Sequence, residues 1–274
     1  MSVQWADVTH NVLAIRAAPE GGSEQVSQAI MGDAVQVIKE TDGYACVRGR
    51  DDYEGWALRS QLRLCAEEEG FIRRFGPTSD LAKVMDAFAD VTSAEGDLIT
   101  RIVFDTPVRV PGYTLGGAGL VAAFLASGVE ARIRAEALCP FSGAVVTPSP
   151  ALMARRFLGT PYLWGGTTPF GFDCSGLVQR VYSSAGVILP RDAYRQAVSP
   201  LGEPVPEGAP LSPGDLVFFL GARDPRSRGI THVGMMIDTA RMIHAHGKTG
   251  VTIAALCSDE IRTAYSYRGA WRLT

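Results

Sequence analysis

The sequence predicts an α+β fold split among small domains, and three observations carry that prediction. The chain has 274 residues, which suits about two domains or three small ones. Residues 8–65 alternate short strand-like runs with turn signals. From residue 148 onward helical patterns come first and strand-like runs later, the order of an α+β unit. The expected division is 1–70, 71–147 and 148–274.

Composition sets the outer bounds. Hydrophobic residues make up 46% and charged residues 20%, which excludes wholesale disorder. A net charge of −3 gives no reason to expect a nucleic acid or an anionic membrane as partner. No apolar run approaches the length of a membrane-spanning helix. The start, Met1-Ser2-Val3-Gln4-Trp5, has neither a basic nor an apolar stretch, so the expectation is a cytoplasmic protein without a secretory signal. Five cysteines, odd in number and without C-x-x-C spacing, argue against a disulfide framework or a zinc ribbon. No cofactor is expected.

In the first region, Val35–Ile38 and Tyr44–Val47 flank Thr41-Asp42-Gly43, a hairpin signature, and Gly55–Leu58 reads as another short strand. Short strands at this spacing predict a small β-barrel. In the second region, Leu81, Val84, Met85 and Phe88 share one helical face, so Leu81–Val91 is expected to be a helix, with Ser79 placed to cap it. Strands are expected at Leu98–Phe104, Val108–Val110 and Gly128–Ile133, while Leu115–Leu125, rich in Gly and Ala, favours neither state. Thr147-Pro148-Ser149-Pro150 reads as a boundary. Beyond it, helices are expected at Ala151–Leu158 and 175–185, the latter closed by Gly186. Strands follow at Leu216–Leu220, Val233–Ile237, Arg241–Ala245 and Val251–Ala254. No internal repeat is evident.

Chemistry concentrates in this last region. Cys174 sits where the second helix begins, and a helix N-terminus favours a thiolate and can hold an oxyanion. The plain alternative is a small buried hydrophobe, the reading kept for Cys46, Cys65, Cys139 and Cys257. His232, His244 and His246 follow. A three-residue hairpin loop would pair Met236 with Ala240 and set His232 opposite His244. One imidazole could then take the thiol proton while the other orients it. A different loop length would break that pairing. His246 reads as a half-exposed strand end beside Gly247. A zinc site from Cys174, His232 and His244 lacks any of the usual ligand spacings.

At these residues the sequence resembles a known family. Pro161-Tyr162-Leu163-Trp164-Gly165-Gly166 and Phe172-Asp173-Cys174-Ser175-Gly176 resemble the nucleophile segment of the NlpC/P60 cysteine peptidases. Leu189-Pro190-Arg191-Asp192 with Gln196, then Gly214-Asp215 through His232-Val233-Gly234, then Met242-Ile243-His244-Ala245 resemble their later segments. The resemblance implies a papain-like α+β core with Cys174 as nucleophile, His232 as general base and His244 as the orienting residue. It implies a thioester intermediate as well.

Leu13–Pro19 and Asp51–Trp56 resemble bacterial SH3 (SH3b) domains, and a second SH3-like unit over 71–147 is an extension of that architecture. The combination resembles the γ-D-glutamyl-diamino-acid dipeptidyl-peptidases. These cleave murein stem peptides with a free N-terminal L-Ala, as in cell-wall peptide recycling. By that resemblance Tyr53 and Glu24 meet the substrate amine, and Trp164, Asp173, Ser175, Arg191 and Asp192 belong to the cleft. Ala193 stands where relatives often have Ser, so one substrate hydrogen bond, worth about 0.5–1.5 kcal/mol, is either missing or replaced. Each of these residues also has a structural reading. Trp56 and Tyr53 would pack the small domain, Trp164 the core, Asp173 would cap the helix, and Arg191 and Asp192 would form an ion pair. Two other functions remain open: an exported wall hydrolase with the SH3b domain as a wall-binding module, or an amidase or acyltransferase with a non-wall substrate.

Overall fold

The Asp42-Gly43 dipeptide shows how local chemistry sets the first domain. In the computed structural model, Thr41 pairs directly with Tyr44 and both loop residues have positive φ, 43° and 80°. This is the two-residue turn whose twist matches the strands it joins. The structure describes residues 4–65, 70–74, 80–141, 149–221 and 229–273. The chain divides into two compact units, Met1–Val146 and Thr147–Thr274.

The first unit holds two sheets. The strands of the first are β1 Gln4–Val8, β2 Val12–Arg16, β3 Gln25–Ile30, β4 Ala34–Thr41, β5 Tyr44–Arg48, β6 Glu54–Leu58 and β7 Leu62–Cys65. They run in the order β3-β2-β6-β5-β4-β1-β7. After a short helix, α1 Gly70–Arg74, come β8 Leu81–Val84, β9 Phe88–Thr92, β10 Leu98–Val103, β11 Pro107–Arg109, β12 Leu120–Phe124, β13 Glu130–Arg134 and β14 Leu138–Pro140. Their order is β10-β9-β13-β12-β11-β8-β14. The second sheet thus repeats the first strand for strand, and in both a 3-10 turn, Arg59–Gln61 or Ala135–Ala137, precedes the last strand. Both orders are open, so neither sheet is the closed barrel the strand spacing suggested. The repeat lies in topology, and no sequence identity announced it.

The helix expected over Leu81–Val91 is instead β8, a turn and β9. The backbone of β8 is paired on both edges, with β11 and β14, and all four of its residues are buried. A run buried on every side carries apolar residues that also satisfy a helical period, and sheet pairing decides the matter. Ser79, the expected cap, lies outside the described residues. Each sheet wraps its own core: Ala6, Leu13, Ile15, Val35 and Val47 in the first, Val84, Val91, Ile102, Ala123 and Ile133 in the second.

The second unit begins with α2 Pro150–Ala154, capped by the Ser149 hydroxyl on Leu152 N–H and opened by Pro150 at its first position. Pro150, expected to disfavour regular structure, is in the one helical position where its missing N–H is harmless. Then come β15 Thr167–Thr168, β16 Gly171–Phe172, α3 Cys174–Ser184, α4 Ala193–Gln196, β17 Gly202–Pro204, β18 Leu216–Gly221, β19 His232–Met236, β20 Arg241–His246, β21 Gly250–Ala255, α5 Asp259–Ala264 and β22 Tyr265–Leu273. The six-stranded antiparallel sheet runs β17-β22-β18-β19-β20-β21, and α3, whose Leu177, Val178 and Val181 are fully buried, packs on β19 and β20. Among the described residues no helix is long and apolar enough to cross a membrane.

Candidate active site

Asp173 builds the start of α3. Its Oδ1 accepts the Gly176 N–H at 2.7 Å and the Ser175 hydroxyl at 3.3 Å, and its Oδ2 accepts the Gly165 N–H at 3.0 Å. Both carboxylate oxygens also take the Arg191 guanidinium, and Arg191 is only 2% exposed. Arg191 reaches the Ser175 hydroxyl too, at 3.0 Å. The fold brings the helix cap to the guanidinium, so Arg191 pairs with Asp173, and it also acts on the neighbouring Asp192. Asp192 precedes α4, where burial raises its carboxyl above the ordinary range. Gln196 ties the two segments together, donating to the Ser175 and Pro190 carbonyls. Gly176 has to be glycine. A Cβ there would lie 2.1 Å from the Gly166 carbonyl oxygen.

Cys174 is the first residue of α3 and is 8% exposed. Its sulfur is hydrogen-bonded by the backbone N–H groups of Val233 and Ser175, which places it beside the residue that follows His232. Burial, with Asp173 adding to it, pushes the thiol up to about 12. The depression expected from the helix terminus is outweighed, because a buried sulfur has lost its hydration. Val233, Arg191 and Ser175 act in the opposite direction.

His232 and His244 are buried, and His232 Nε2 lies 2.8 Å from His244 Nδ1. Their placement differs from the expected register. Met235 pairs with Ile243 and Met236 with Met242, so Gly234 rather than His232 lies across from His244. The imidazoles meet along the diagonal of the ladder. Gly234 keeps that diagonal clear, since a Cβ there would be 2.6 Å from the Met242 sulfur and 3.5 Å from the His244 Cβ. With its proton on Nε2, His232 donates to His244 and keeps Nδ1 as an acceptor. Burial lowers both rings: His232 well below the usual histidine range, and His244 to about 4, with His246 contributing to each. The resting site is thus a neutral thiol beside a neutral imidazole. His246 is half-exposed, its ring centroid 5.7 Å from that of His244. Among the described residues no group of three or more His, Cys, Asp or Glu side chains could hold a metal ion.

Neutral burial of His244 ties stability to pH. The unfolded ring titrates near 6.5 and the folded ring near 4, so the unfolded chain binds more protons between those values. The stabilisation is present above about pH 6.5 and is lost as pH falls toward 4, about 3 kcal/mol from His244 alone. Urea midpoints at pH 7.5 and 4.5 should show a steep fall for the native chain and a shallower one for His244→Gln. Equal falls would contradict the assignment.

The other expected site residues fall into two groups. Trp164 is 60% exposed and so is not core. It precedes Gly165, whose φ of 73° turns the chain toward the Asp173 carboxylate. Ala193 opens α4, and Ser175 is buried beside Arg191. Tyr53 and Glu24 belong to the first unit. Arg16 at the end of β2 pairs with Gln25 and with Trp56, so Glu24 and Tyr53 lie at the same end of that sheet. Trp56 is half-buried under the Lys39 ammonium, 5.2 Å from its ring centroid. Two tyrosines were not singled out from sequence. Burial and the nearby Cys174 raise the hydroxyls of Tyr162 and Tyr265. Tyr162 lies in a quoted motif, whereas nothing local marks Tyr265.

A cysteine at a capped helix start, held against a strand that carries one of two hydrogen-bonded histidines, is an arrangement that can support acyl transfer to a thiol. Comparison with known proteins narrows this further. Residues 159–270 match the NlpC/P60 family and residues 15–62 match the bacterial dipeptidyl-peptidase Sh3 domain, so the chain carries an NlpC/P60 domain and a bacterial SH3 domain. A gamma-D-glutamyl-L-lysine dipeptidyl-peptidase of Bacillus cereus is 28% identical, over 80% of this chain and 66% of its own length. An enzyme of the same name from Bacillus subtilis is 41% identical over 38% of this chain, and the match spans 33% of that relative. Dipeptidyl-peptidase 6 of Lysinibacillus sphaericus is 26% identical over 84% of this chain and 83% of its own length. In fold, a Bacillus cereus NlpC/P60 family protein of known structure superposes with a TM-score of 0.78 at 22% identity, covering 98% of this chain and 99% of that one.

Proposed function

We propose that this peptidase hydrolyses the γ-D-Glu–diamino acid bond of murein stem peptides that carry a free N-terminal L-Ala. The observation that carries the chemistry is the 2.8 Å His232–His244 hydrogen bond, which leaves His232 Nδ1 as a base beside the strand position that holds Cys174. The relatives named gamma-D-glutamyl-L-lysine dipeptidyl-peptidase and dipeptidyl-peptidase 6 support the substrate class.

In the reaction, the Cys174 proton passes to His232 Nδ1 as the sulfur attacks the γ-carbonyl carbon. The oxyanion is partly held by the Cys174 N–H at the start of α3, a helix position with no intrahelical acceptor. His232, now an imidazolium, returns its proton to the leaving amine, and the C–N bond breaks to leave a thioester. Water then attacks that thioester with His232 again as base, releasing the dipeptide. Arg191 and Asp173 hold the helix start, and Trp164, Ser175 and Asp192 are assigned to the peptide. Tyr53 and Glu24 are assigned to its amine. A cytoplasmic place in cell-wall peptide recycling is part of this reading, and the five free thiols suit a reducing compartment.

Paired assays test it. Incubation with L-Ala-γ-D-Glu-L-Lys, with its meso-diaminopimelate counterpart, and with the N-acetylated form of each is followed by mass spectrometry. Cleavage confined to free-amine peptides is expected. Loss of an amine–carboxylate contact on acetylation costs about 2–3 kcal/mol, or about 30- to 150-fold in kcat/KM. Equal cleavage of both forms would favour an exported hydrolase acting on the polymer.

A further inference from the structure

The mechanism above leaves Tyr265 unused. Tyr265 opens β22, and its ring lies flat on the His232 imidazole, with centroids 4.4 Å apart and planes 14° from parallel. The other rings meet His232 differently. His244 is edge-on at 5.1 Å, and Phe219 is tilted at 6.0 Å. Tyr265 in turn is braced by Phe219 at 5.7 Å and faces His246 at 6.2 Å. A ring stacked on an imidazole restricts its rotation about χ2. It also offers a π face to the cation that forms when the imidazole is protonated.

We propose that Tyr265 is a positioning residue for the general base: its ring holds the His232 imidazole in the orientation that serves both Cys174 and His244, and stabilises the imidazolium formed on proton transfer. This rests on the assignment of His232 made above. The ring suits the task because burial, with Cys174 and Glu260 nearby, raises its hydroxyl to about 12, so it stays uncharged while the enzyme works. Other groups also bear on His232. They are His244 and His246 of β20, while the helices packed against β19 carry the titratable Cys174, Arg180 and Tyr182 on α3 and Tyr194 and Arg195 on α4. Phe219 is the facing residue of β18 and does not titrate.

The sign follows from which form is favoured. Stabilising the imidazolium raises the pH at which it loses its proton, so removing the ring moves the acid limb of kcat/KM, where the base becomes protonated, to lower pH. For Tyr265→Leu the limb should move by about half a unit to one unit, and kcat should fall about 3- to 30-fold. KM should change by less than about twofold, since a uniform binding loss would be needed to move it more. Tyr265→Phe keeps the ring and is expected to recover most of the lost rate and the native profile.

Three results would overturn the proposal. One is a native pH limb and kcat in Tyr265→Leu. Another is a loss in Tyr265→Phe as large as in Tyr265→Leu, which would assign the effect to the hydroxyl. The third is a change confined to KM, because Tyr265 also borders a cavity of about 1150 Å³ with Phe219 and Tyr267. If Tyr265→Leu fails to fold, Tyr265→Met asks the same question. Site-resolved iodoacetamide alkylation of Cys174 across pH reads the thiol–imidazole pair without any substrate. His232→Ala is run alongside. If it keeps native turnover, the assignment of the base fails, whereas a dead His232→Ala with an unaltered Tyr265→Leu overturns only the role of Tyr265.

Discussion

Replacing His232 by Ala is expected to lower kcat by about 10³- to 10⁵-fold, and replacing Cys174 by Ala to lower it at least as far. The size follows from the resting state. Burial holds the thiol up to about 12, so almost no thiolate exists at neutral pH without a base at hand. The base is itself kept neutral by burial and is therefore ready to accept the proton. Neither group works without the other, so the double variant Cys174→Ala/His232→Ala should be no slower than Cys174→Ala alone. Rates for the two single variants and the double, measured on one stem peptide, test this. If the logarithms of the two single losses simply add in the double variant, the two residues act independently and the pair is not the catalytic unit. His244→Ala should cost less, because it leaves the base in place and loses only the partner that sets its tautomer.

Removing one side of the Asp173–Arg191 pair should be the largest stability change in the catalytic unit. Arg191 is 2% exposed, and both of its terminal nitrogens are committed to Asp173. Asp173→Ala strands a buried guanidinium and removes the cap of α3, a loss of about 3–5 kcal/mol. Asp173→Asn keeps an acceptor for Gly176 and should fall between Ala and the native residue. Replacing both members with apolar residues should cost less than either single change, because no charge is left unpaired. Urea unfolding of the four variants measures the ordering. A Asp173→Ala midpoint close to the native one would show that water reaches Arg191 and that the pair is not buried in solution. Because this carboxylate also receives the Gly165 and Gly176 N–H groups, the same variant should lower kcat by misplacing the start of the helix that bears the thiol.

Local chemistry made much of the catalytic unit readable. The Asp173-Cys174 step before an amphipathic run announces a capped helix, and α3 begins at Cys174. The Asp42-Gly43 turn announces its hairpin for the same reason: two residues suffice to define the geometry. Reading failed where a distant partner decides. The run Leu81–Val91 matches a helical period, but pairing with β11 and β14 makes its first part a strand. The β19–β20 register runs two residues away from the expected alignment, a difference that depends on how the four-residue connection turns. The sequence left an Arg191–Asp192 ion pair open and gave no sign of the Asp173 partner, 18 residues away at the helix cap.

The sequence by itself determined the α+β class, the helix that starts at Cys174 and the strands that carry His232 and His244, because capping, turn chemistry and motif spacing are short-range. Tertiary structure alone decided four things. It set the diagonal contact of His232 with His244 across Gly234 and the identity of the Arg191 partner. It gave the second sheet the same strand order as the first, and it laid Tyr265 on the base. Each depends on side chains or strands brought together across long stretches of chain, where the geometry comes from packing and sheet pairing and leaves no local periodicity to read.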